Sequence, residues 1–461
     1  MAPSIFNLRV PLPGGQVFLW NTLTDAEAIV TADVAALLEV PPGLLPPLDA
    51  ETSEALLTLT EHGFITEGPE ADRRALADQL NAVTHDRSEL HISILTTLNC
   101  NFGCGYCYQG DRSSSSHSPS LASHMSVETA AEVVRWVEGQ LDAVQPERLV
   151  LSFLGGEPLL NTPAIRTIAS ELMVASHARG IRQVVTLVTN GLLLTESTVR
   201  DLLPFGLAGV KVTLDGARET HDRSRPLRGG QPTFDRIIEN LRQVAPLVPV
   251  AIGGNVDADD AESVRELLAF LQAQPFADRV TQVNFKPVVH TPRPEPPRLT
   301  SGTVIPLRPV SSAAPQRAAA DDAGDPFTRL RADARAFGFN TADATRQGPC
   351  HVHMAHAHTI GPDGARYACP GFTGTQAIPV GHVNGTTTAV MRQGQQAFER
   401  LRPWDACGDC AFIPVCAGGC VASSYGQGGD LNRPACHKRG LEAAVIERAH
   451  LAALTYPGVP A

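Results

Sequence analysis

The stretch Leu90-His91-Ile92-Ser93-Ile94-Leu95 decides the fold, and the loop Thr97-Leu98-Asn99-Cys100-Asn101-Phe102-Gly103-Cys104-Gly105-Tyr106-Cys107 follows it directly. The apolar run is typical of a buried β-strand, and the loop carries three cysteines in the spacing C-x3-C-x2-C. Thiolates this close together converge on one metal centre, and three of them on a four-iron cluster leave one iron open to an outside ligand. A zinc site is the alternative, but zinc takes four protein ligands and prefers paired C-x2-C spacing.

Five further apolar, β-branched runs follow along the chain, and helical patterns separate them. The six strand candidates are Leu90–Leu95, Arg148–Phe153, Gln183–Thr189, Gly209–Leu214, Val248–Gly253 and Val280–Val288. Continuous apolar strands are those buried on both faces, as in a parallel sheet covered by helices. The sequence therefore predicts an α/β fold, a partial (β/α)6 barrel similar to a TIM barrel, with its functional groups at the carboxyl ends of the strands.

Candidate binding residues lie at those predicted strand ends. They are Gly155-Gly156-Glu157-Pro158, Thr189-Asn190-Gly191, Thr213-Leu214-Asp215-Gly216, His221-Asp222-Arg223-Ser224-Arg225 and Asn255. Glycine allows close approach of the backbone, a carboxylate suits an ammonium group or a sugar hydroxyl, and an arginine pairs with a carboxylate. Taken singly, each of these segments also has an ordinary turn as its alternative, which the Thr189 and Thr213 segments by themselves favour.

The other seven cysteines lie in the last quarter of the chain. They are Cys350, Cys369, Cys407, Cys410, Cys416, Cys420 and Cys436. No signal sequence precedes the chain's first predicted strand, so disulfides are not expected, and the short spacings favour metal or iron–sulfur ligation. Zinc ribbons are the alternative interpretation of the C-x2-C pair.

The loop around Cys100, Cys104 and Cys107 resembles that of the radical SAM superfamily, with Tyr106 as the aromatic residue before the last cysteine. The resemblance implies that these cysteines hold a [4Fe–4S] cluster, that S-adenosylmethionine (AdoMet) binds its open iron, and that cleavage of AdoMet yields a 5′-deoxyadenosyl radical. It also implies the set of cofactor-binding residues: Tyr106, Gly155, Gly156, Glu157, Thr189, Asn190, Thr213, Asp215, Arg225 and Asn255.

The C-terminal cysteines resemble the seven-cysteine SPASM domain of radical SAM enzymes that modify peptides and proteins. The resemblance implies one auxiliary cluster on Cys407, Cys410, Cys416 and Cys436, and a second on Cys350, Cys369 and Cys420, for a total of three [4Fe–4S] clusters. The second cluster then has only three cysteines. A histidine of the segment 351–358 is a candidate fourth ligand, and a solvated strand face, with His351 and His353 on one side, is the alternative.

Residues 1–86 form a predicted winged-helix-like module. A hairpin is predicted from Phe6–Val10 and Val17–Trp20, helices over Ala26–Leu38 and Thr52–His62, and a short strand after Gly63. By resemblance to peptide maturases, the module captures a leader peptide as an added strand; a structural cap on the barrel is the alternative. The expected domains are 1–86, the barrel at 87–290, a linker at 291–340 and the SPASM domain at 341–461.

Composition excludes other classes of protein. The chain has 461 residues and a net charge of −11, which argues against nucleic acid as a partner. No run of apolar residues is long enough to span a membrane, and a cytoplasmic enzyme is expected.

We expect an oxidoreductase that acts on a leader-bearing, ribosomally made peptide and forms a thioether or carbon–carbon cross-link. The resemblance also implies an electron donor such as flavodoxin or ferredoxin. Alternatives are oxidation of a protein Cys or Ser, as in sulfatase-maturing enzymes, action on a small molecule, or a non-catalytic electron-transfer or zinc protein.

Overall fold

The computed structural model describes residues 2–40, 49–107, 109, 123–288, 326–374 and 377–455. Residues 291–325 of the predicted linker lie outside the described residues, and its described part begins with a helix over Pro326–Ala336. A loop predicted over the serine-rich segment 111–123 also lies outside the described residues, apart from Ser123.

The N-terminal segment combines a three-stranded antiparallel sheet with three helices. Its elements are β1 (Ala2–Pro3), β2 (Asn7–Leu12), β3 (Gln16–Asn21), β4 (Glu27–Thr31), α1 (Ala32–Leu37), α2 (Ala50–Glu61), β5 (Ile65–Thr66) and α3 (Pro69–Thr84). The predicted hairpin is β2–β3, and β4 forms the other side of the sheet. The helix predicted over Ala26–Leu38 is wrong in its first half. There, Ile29 and Val30 pair with Phe18 and Val17, because β-branched side chains pack well across a sheet.

The six predicted barrel strands are all confirmed as strands. They are β6 (Glu89–Thr97), β7 (Arg148–Gly155), β8 (Arg182–Thr189), β9 (Leu207–Thr213), β10 (Val250–Val256) and β11 (Val280–Pro287). They lie side by side in chain order, and every neighbouring pair is parallel. The helices of this region are α4 (Val127–Val144), α5 (Thr162–Ala178), α6 (Glu196–Leu202), α7 (Arg218–Ser224), α8 (Phe234–Val244), α9 (Ala261–Gln272) and α10 (Pro326–Ala336).

Alternation along each strand separates a helix-covered face from an inner face. In β7, Leu149, Leu151 and Phe153 are fully buried in the core shared with the helices. The residues between them are only half-buried, so they line the inner side of the curved sheet. The inner faces of the six strands therefore surround the space above which the motif-bearing loops lie.

The C-terminal region continues the barrel sheet. Its elements are β12 (Ala357–Ile360), β13 (Ala365–Tyr367), β14 (Gly381–His382), α11 (Ala389–Glu399), α12 (Ile413–Cys416), α13 (Val421–Gly428) and α14 (Lys438–Thr455). Strand β12 pairs in parallel with β6, and β13 and β14 follow in antiparallel order, giving nine strands in one sheet. The segment that carries Cys350 and Cys369 is therefore built onto the edge of the barrel, next to the strand that precedes the first cysteine loop.

The histidine segment is not the solvated strand that alternation predicts. Residues His351–His353 form a single 3-10 turn, in which the backbone N–H of Cys350 donates to Nδ1 of His353 and that of His353 donates back to the Cys350 carbonyl. This local closure competes with an extended strand. His351 is exposed and His353 is 8% exposed, so the two do not share one face.

An apolar core joins the N-terminal sheet to the C-terminal helices. Phe18 and Trp20 of β3 pack with Val415 of α12 and with Leu441 and Val445 of α14. The guanidinium of Arg448 on α14 lies over the Trp20 ring at 4.4 Å and pairs with Glu27 of β4. The N-terminal segment thus rests on the cysteine-rich region. In the part of the chain that the structure describes, no helix is long and apolar enough to cross a membrane.

Candidate active site

The first cysteine loop follows β6 and is held against the segment that follows α7. Backbone pairing joins Phe102 to Leu227, and the N–H of Phe102 donates to Sγ of Cys100 at 3.4 Å. The thiols of Cys100, Cys104 and Cys107 lie within electrostatic range of one another. Burial raises the pKa of Cys104 to about 11, which the positive charge of Arg225 partly opposes. A bound iron cluster would reverse that balance, because metal coordination deprotonates a thiol.

The glycine pair at the end of β7 makes room for that loop. A Cβ on Gly155, whose φ is 148°, would lie 2.2 Å from the carbonyl oxygen of Thr97, and a Cβ on Gly156 would lie 2.2 Å from that of Asn99. The N–H groups of Gly156 and Glu157 donate to the same two carbonyls at 3.0 and 2.8 Å. Both glycines were predicted to contact the cofactor; the structure shows that they are needed to seat the cysteine loop itself.

Glu157 ties the ends of β7 and β8 together. Its fully buried carboxylate accepts from the hydroxyl of Thr189 and the backbone N–H of Asn190, both at 2.8 Å, and from the N–H of Leu159 at 3.1 Å. Burial raises the pKa of this carboxyl, and the three donors oppose the rise. The group predicted to meet the cofactor ammonium is thus already engaged, and it positions Thr189 and Asn190.

Asn190 in turn contacts the cysteine loop. Its Nδ2 donates to Oδ1 of Asn101 at 2.7 Å and lies 3.9 Å from Sγ of Cys100. The second, third and first motifs of the barrel are therefore linked by one chain of hydrogen bonds.

Tyr106, Asp215 and Arg225 form a compact buried group beside the thiols. The hydroxyl of Tyr106 hydrogen-bonds the Asp215 carboxylate, and Nη1 of Arg225 donates to that hydroxyl at 2.5 Å and lies 3.8 Å from Asp215 Oδ2. Burial, with the charge of Asp215, raises the pKa of Tyr106, which stays neutral. Three predicted cofactor residues from separate motifs, Tyr106, Asp215 and Arg225, therefore meet.

The group of Tyr106, Asp215 and Arg225 also offers a hydrogen-bond donor that the implied cofactor could use. Arg225 is 8% exposed, lies over the Phe102 ring at 5.6 Å, and keeps a buried Nε that has no hydrogen-bond partner within the described residues. A buried donor without a partner costs free energy, and a ligand carboxylate would satisfy it. Beside three thiols able to hold a cluster, this is the chemistry that AdoMet requires.

Thr213 and Asn255 are half-buried on the inner face at neighbouring strand ends. The backbone N–H of Asn255 donates to Asp215 Oδ1 at 2.9 Å, so β10 helps to hold that carboxylate. Their predicted side-chain contacts with the cofactor remain predictions.

Sequence reasoning missed the role of His221. Its buried imidazole accepts from the backbone N–H of Asp215 through Nδ1 at 3.4 Å, and Nε2 contacts the hydroxyl of Thr233 at 3.1 Å. That hydroxyl donates to the carbonyl of Arg225 at 2.9 Å. Burial lowers the pKa of His221 to about 3, so the ring is neutral. The motif pointed to Arg225; the histidine four residues earlier, one helical turn away on α7, was the available signal for a second buried polar residue.

The seven C-terminal thiols fall into two groups. Cys407, Cys410, Cys416 and Cys436 line one cavity and act electrostatically on one another. Cys350, Cys369 and Cys420 form the other group, in which burial raises the pKa of Cys369 to about 11. The grouping is the one that the resemblance implies. All ten cysteines are free thiols. Among the described residues, no three His, Cys, Asp or Glu side chains lie close enough to hold a single metal ion.

His353 does not present a free ligand nitrogen to the three-cysteine group. Its Nδ1 lies 3.9 Å from Cys350 Sγ but accepts the Cys350 N–H, which leaves the proton on Nε2. That Nε2 is buried with no partner among the described residues. His353 is arranged as a donor, and the predicted fourth ligand stays unassigned.

Comparison with known proteins agrees with this site. Residues 94–271 match the family model of the radical SAM superfamily. Among curated proteins, the chain is 31% identical over 191 residues to GTP 3′,8-cyclase of Synechococcus sp., covering 41% of this chain and 49% of that protein. It is 26% identical over 365 residues to AdoMet-dependent heme synthase of Methanosarcina barkeri, covering 72% of this chain and 91% of that protein.

Other comparisons bear on extent and fold. Fe-coproporphyrin III synthase of Methanosarcina barkeri is 27% identical over 170 residues, and this chain spans only 37% of its length. Against solved structures, native anSMEcpe with bound AdoMet superposes with a TM-score of 0.55 at 16% identity, covering 79% of this chain and 100% of that one. The shared fold and the family match agree on one conclusion. The chain carries a radical SAM domain at residues 94–271.

Proposed function

We propose that this radical SAM protein is a cytoplasmic maturase that oxidises a residue of a ribosomally made peptide and closes a thioether or carbon–carbon cross-link. Cys100, Cys104 and Cys107 would hold the AdoMet-binding cluster, and Tyr106, Asp215 and Arg225 would hold AdoMet. When bound, the cluster and AdoMet would together supply a 5′-deoxyadenosyl radical for removal of a hydrogen atom from the substrate. The ten free thiols fit a reducing compartment.

The observation that carries the proposal is the presence of two groups of thiols in the C-terminal region, besides the first cysteine loop. Both lie outside the residues that match the family. The group of Cys350, Cys369 and Cys420 is joined to the barrel edge through β12, and the group of Cys407, Cys410, Cys416 and Cys436 packs against the N-terminal segment. Closing a cross-link removes two hydrogens from the peptide. The first would leave as a hydrogen atom to the deoxyadenosyl radical and the second as a proton to solvent and an electron, so an electron acceptor is needed. Seven cysteines able to hold two auxiliary clusters offer such an acceptor; an epimerisation, which returns a hydrogen, needs none.

The N-terminal segment supports a peptide as substrate. Strand β4 is the last strand of the β2–β3–β4 sheet in the described residues, and an extended leader could pair with it. The apolar core that joins this sheet to α14 would couple leader binding to the cysteine-rich region. The same core suits the alternative, a structural cap.

A second candidate is oxidation of a small molecule. It is favoured by the match to AdoMet-dependent heme synthase, which covers 91% of that protein. A sulfatase-maturase-like oxidation of a protein Cys or Ser is the third. A low-potential donor such as flavodoxin or ferredoxin would supply the electron for AdoMet cleavage in every case.

Mass spectrometry of candidate precursor peptides, after anaerobic reaction with this protein, AdoMet and reductant, tests the proposal. A product lighter by two hydrogens with one thiol consumed supports a thioether, and the same loss with all thiols alkylatable supports a carbon–carbon bond. The control is the Cys100→Ala, Cys104→Ala, Cys107→Ala variant, which should leave the peptide unchanged. A product whose mass is unchanged in H2O but which takes up deuterium when the reaction is run in D2O would contradict the proposal.

A further inference from the structure

Lys211 lies on the inner face of β9, within the barrel. Its neighbours Val210 and Val212 are buried in the core shared with α8, so alternation directs Lys211 to the opposite side. Its side chain runs across Gly253 of β10, where a Cβ would lie 2.5 Å from Cε and 3.3 Å from Nζ. Gly253 therefore leaves the space in which the end of this lysine lies.

Lys286 stands on the same face, two strands away. Asn255 of β10 pairs in register with Lys286 of β11, as Ala251 pairs with Lys211 of β9. Residues 251, 253 and 255 share one face of β10, because side chains alternate along a strand. The two lysines thus flank the inner face of β10, with Lys286 nearer to the carboxyl end of the sheet.

Among the described residues, neither lysine has a counter-ion. The chain contains three lysines, and Lys438 lies 3.8 Å from Glu442, whereas Lys211 and Lys286 form no ion pair or hydrogen bond within the described residues. Burial and the positive charge of Lys286 together lower the pKa of Lys211. Lys211 is half-buried and Lys286 is exposed. A half-buried ammonium that has no partner among the described residues and is repelled by a second cation costs free energy, which a bound anion would recover.

We propose that Lys211 and Lys286 bind a carboxylate of the substrate inside the barrel. This inference rests on the proposed function, which supplies the substrate. It narrows the substrate class to molecules with an acidic group near the reacting carbon. Such a group is an Asp, a Glu or a C-terminal carboxylate in a peptide, or the carboxylate of an acidic small molecule. The cofactor carboxylate has a separate candidate partner in Arg225, whose titratable neighbours are Tyr106, Asp215 and Cys104 rather than the lysines.

Competitive acetylation of the intact, cluster-loaded protein tests this without turnover. The protein is treated with an acetylating ester under anaerobic conditions, and acetylation of each lysine is quantified by peptide mass spectrometry. The probes are N-acetylglutamate, its neutral diamide, and AdoMet, each added separately. Lys438 is the internal reference.

We expect N-acetylglutamate to protect Lys211 and Lys286, with acetylation falling about tenfold at ten times the dissociation constant of the probe, since only the free form reacts. The neutral diamide should protect neither, and Lys438 should react equally in all samples. Protection of Lys211 by AdoMet alone would assign the pair to the cofactor and overturn the proposal. Equal acetylation with the acid and its diamide would also overturn it.

Two variants of Lys211 provide a second measurement. Lys211→Met removes the unpaired charge at similar volume, so we expect a higher melting temperature and no protection of Lys286 by N-acetylglutamate. Lys211→Arg keeps the charge and should retain the protection. A lower melting temperature for Lys211→Met would show that the charge is stabilised within the protein itself and would contradict the proposal. These outcomes report on anion binding only, so they stand apart from whether the enzyme makes a cross-link.

Discussion

His221 holds Asp215 by its backbone: Nδ1 of the imidazole accepts the Asp215 N–H at 3.4 Å. Through Thr233 the same ring reaches the carbonyl of Arg225, so one neutral histidine fixes both charged residues of the candidate AdoMet site. Its ring contacts the Asp215 backbone and the Thr233 hydroxyl, so we assign it as a positioning residue.

Replacing His221 should therefore weaken AdoMet binding more than it slows cleavage. His221→Phe removes both hydrogen bonds and leaves the Asp215 N–H unpaired, which costs about 1–3 kcal/mol and about a tenfold or larger rise in KM for AdoMet. His221→Asn, which keeps one acceptor, should recover part of that loss. Steady-state formation of 5′-deoxyadenosine at varied AdoMet checks this. A fall in kcat with KM unchanged would contradict the positioning role.

The glycine after β7 should be intolerant of even one methyl group. In Gly156→Ala, the new Cβ would meet the Asn99 carbonyl oxygen at 2.2 Å, and the cysteine loop would have to move. We expect destabilisation of about 1–3 kcal/mol and a reduced iron content. Gly139→Ala is the matched control, because that glycine lies in α4 with nothing within 4 Å of a Cβ, and alanine there should stabilise by about 1 kcal/mol. Chemical denaturation and iron analysis compare the two variants; similar effects would refute the argument.

Acid should destabilise the protein partly through His358. Burial lowers the pKa of this histidine to about 4, and the ring meets the Trp136 edge at 5.1 Å. The unfolded chain then binds a proton that the folded one does not between about pH 6.5 and pH 4, so stability is full above this window and falls as pH drops through it, by up to about 1.4 kcal/mol per pH unit. His358→Gln should flatten that dependence. If the free energy of unfolding has the same slope against pH in both proteins, His358 does not cause this loss of stability.

A leader peptide should protect β4 from hydrogen exchange. If the leader pairs with the edge of the sheet, amides within 27–31 will exchange more slowly when the peptide is present, because they gain partners. Two controls should show no change in exchange: the amides of β2 in the presence of the peptide, and the amides of β4 when AdoMet is added without the peptide. Processing of the peptide without protection of β4 would favour the structural cap.

The barrel could be predicted from sequence because its strands carry apolar residues on both faces. In β7, Leu151 and Phe153 are fully buried and Val150 on the other face is half-buried, so a nearly continuous apolar run within a β–α series indicates a parallel strand. Strand β4 could not, because Ala26–Val30 has apolar residues at both periods, and only pairing with Phe18 and Val17 decides between them. Short segments take their structure from such tertiary contacts.

The candidate site divides in the same way. Cys100, Cys104 and Cys107 carry their meaning in their spacing, and Arg225 in its motif. Glu157 was expected at the cofactor and is engaged by Thr189 and Asn190, a contact between strands that no local pattern encodes. Lys211 and Lys286 are 75 residues apart in the chain, and only the register of three strands brings them to one face.

Iron content and AdoMet cleavage, measured on the same anaerobically reconstituted samples, test the central claim most directly. Three [4Fe–4S] clusters predict about 12 iron atoms per chain in the wild type. The Cys100→Ala, Cys104→Ala, Cys107→Ala variant should keep about 8 and form no 5′-deoxyadenosine, because the seven C-terminal thiols hold the rest. About 4 iron atoms in the wild type, or stoichiometric zinc in protein purified without oxygen, would contradict the account.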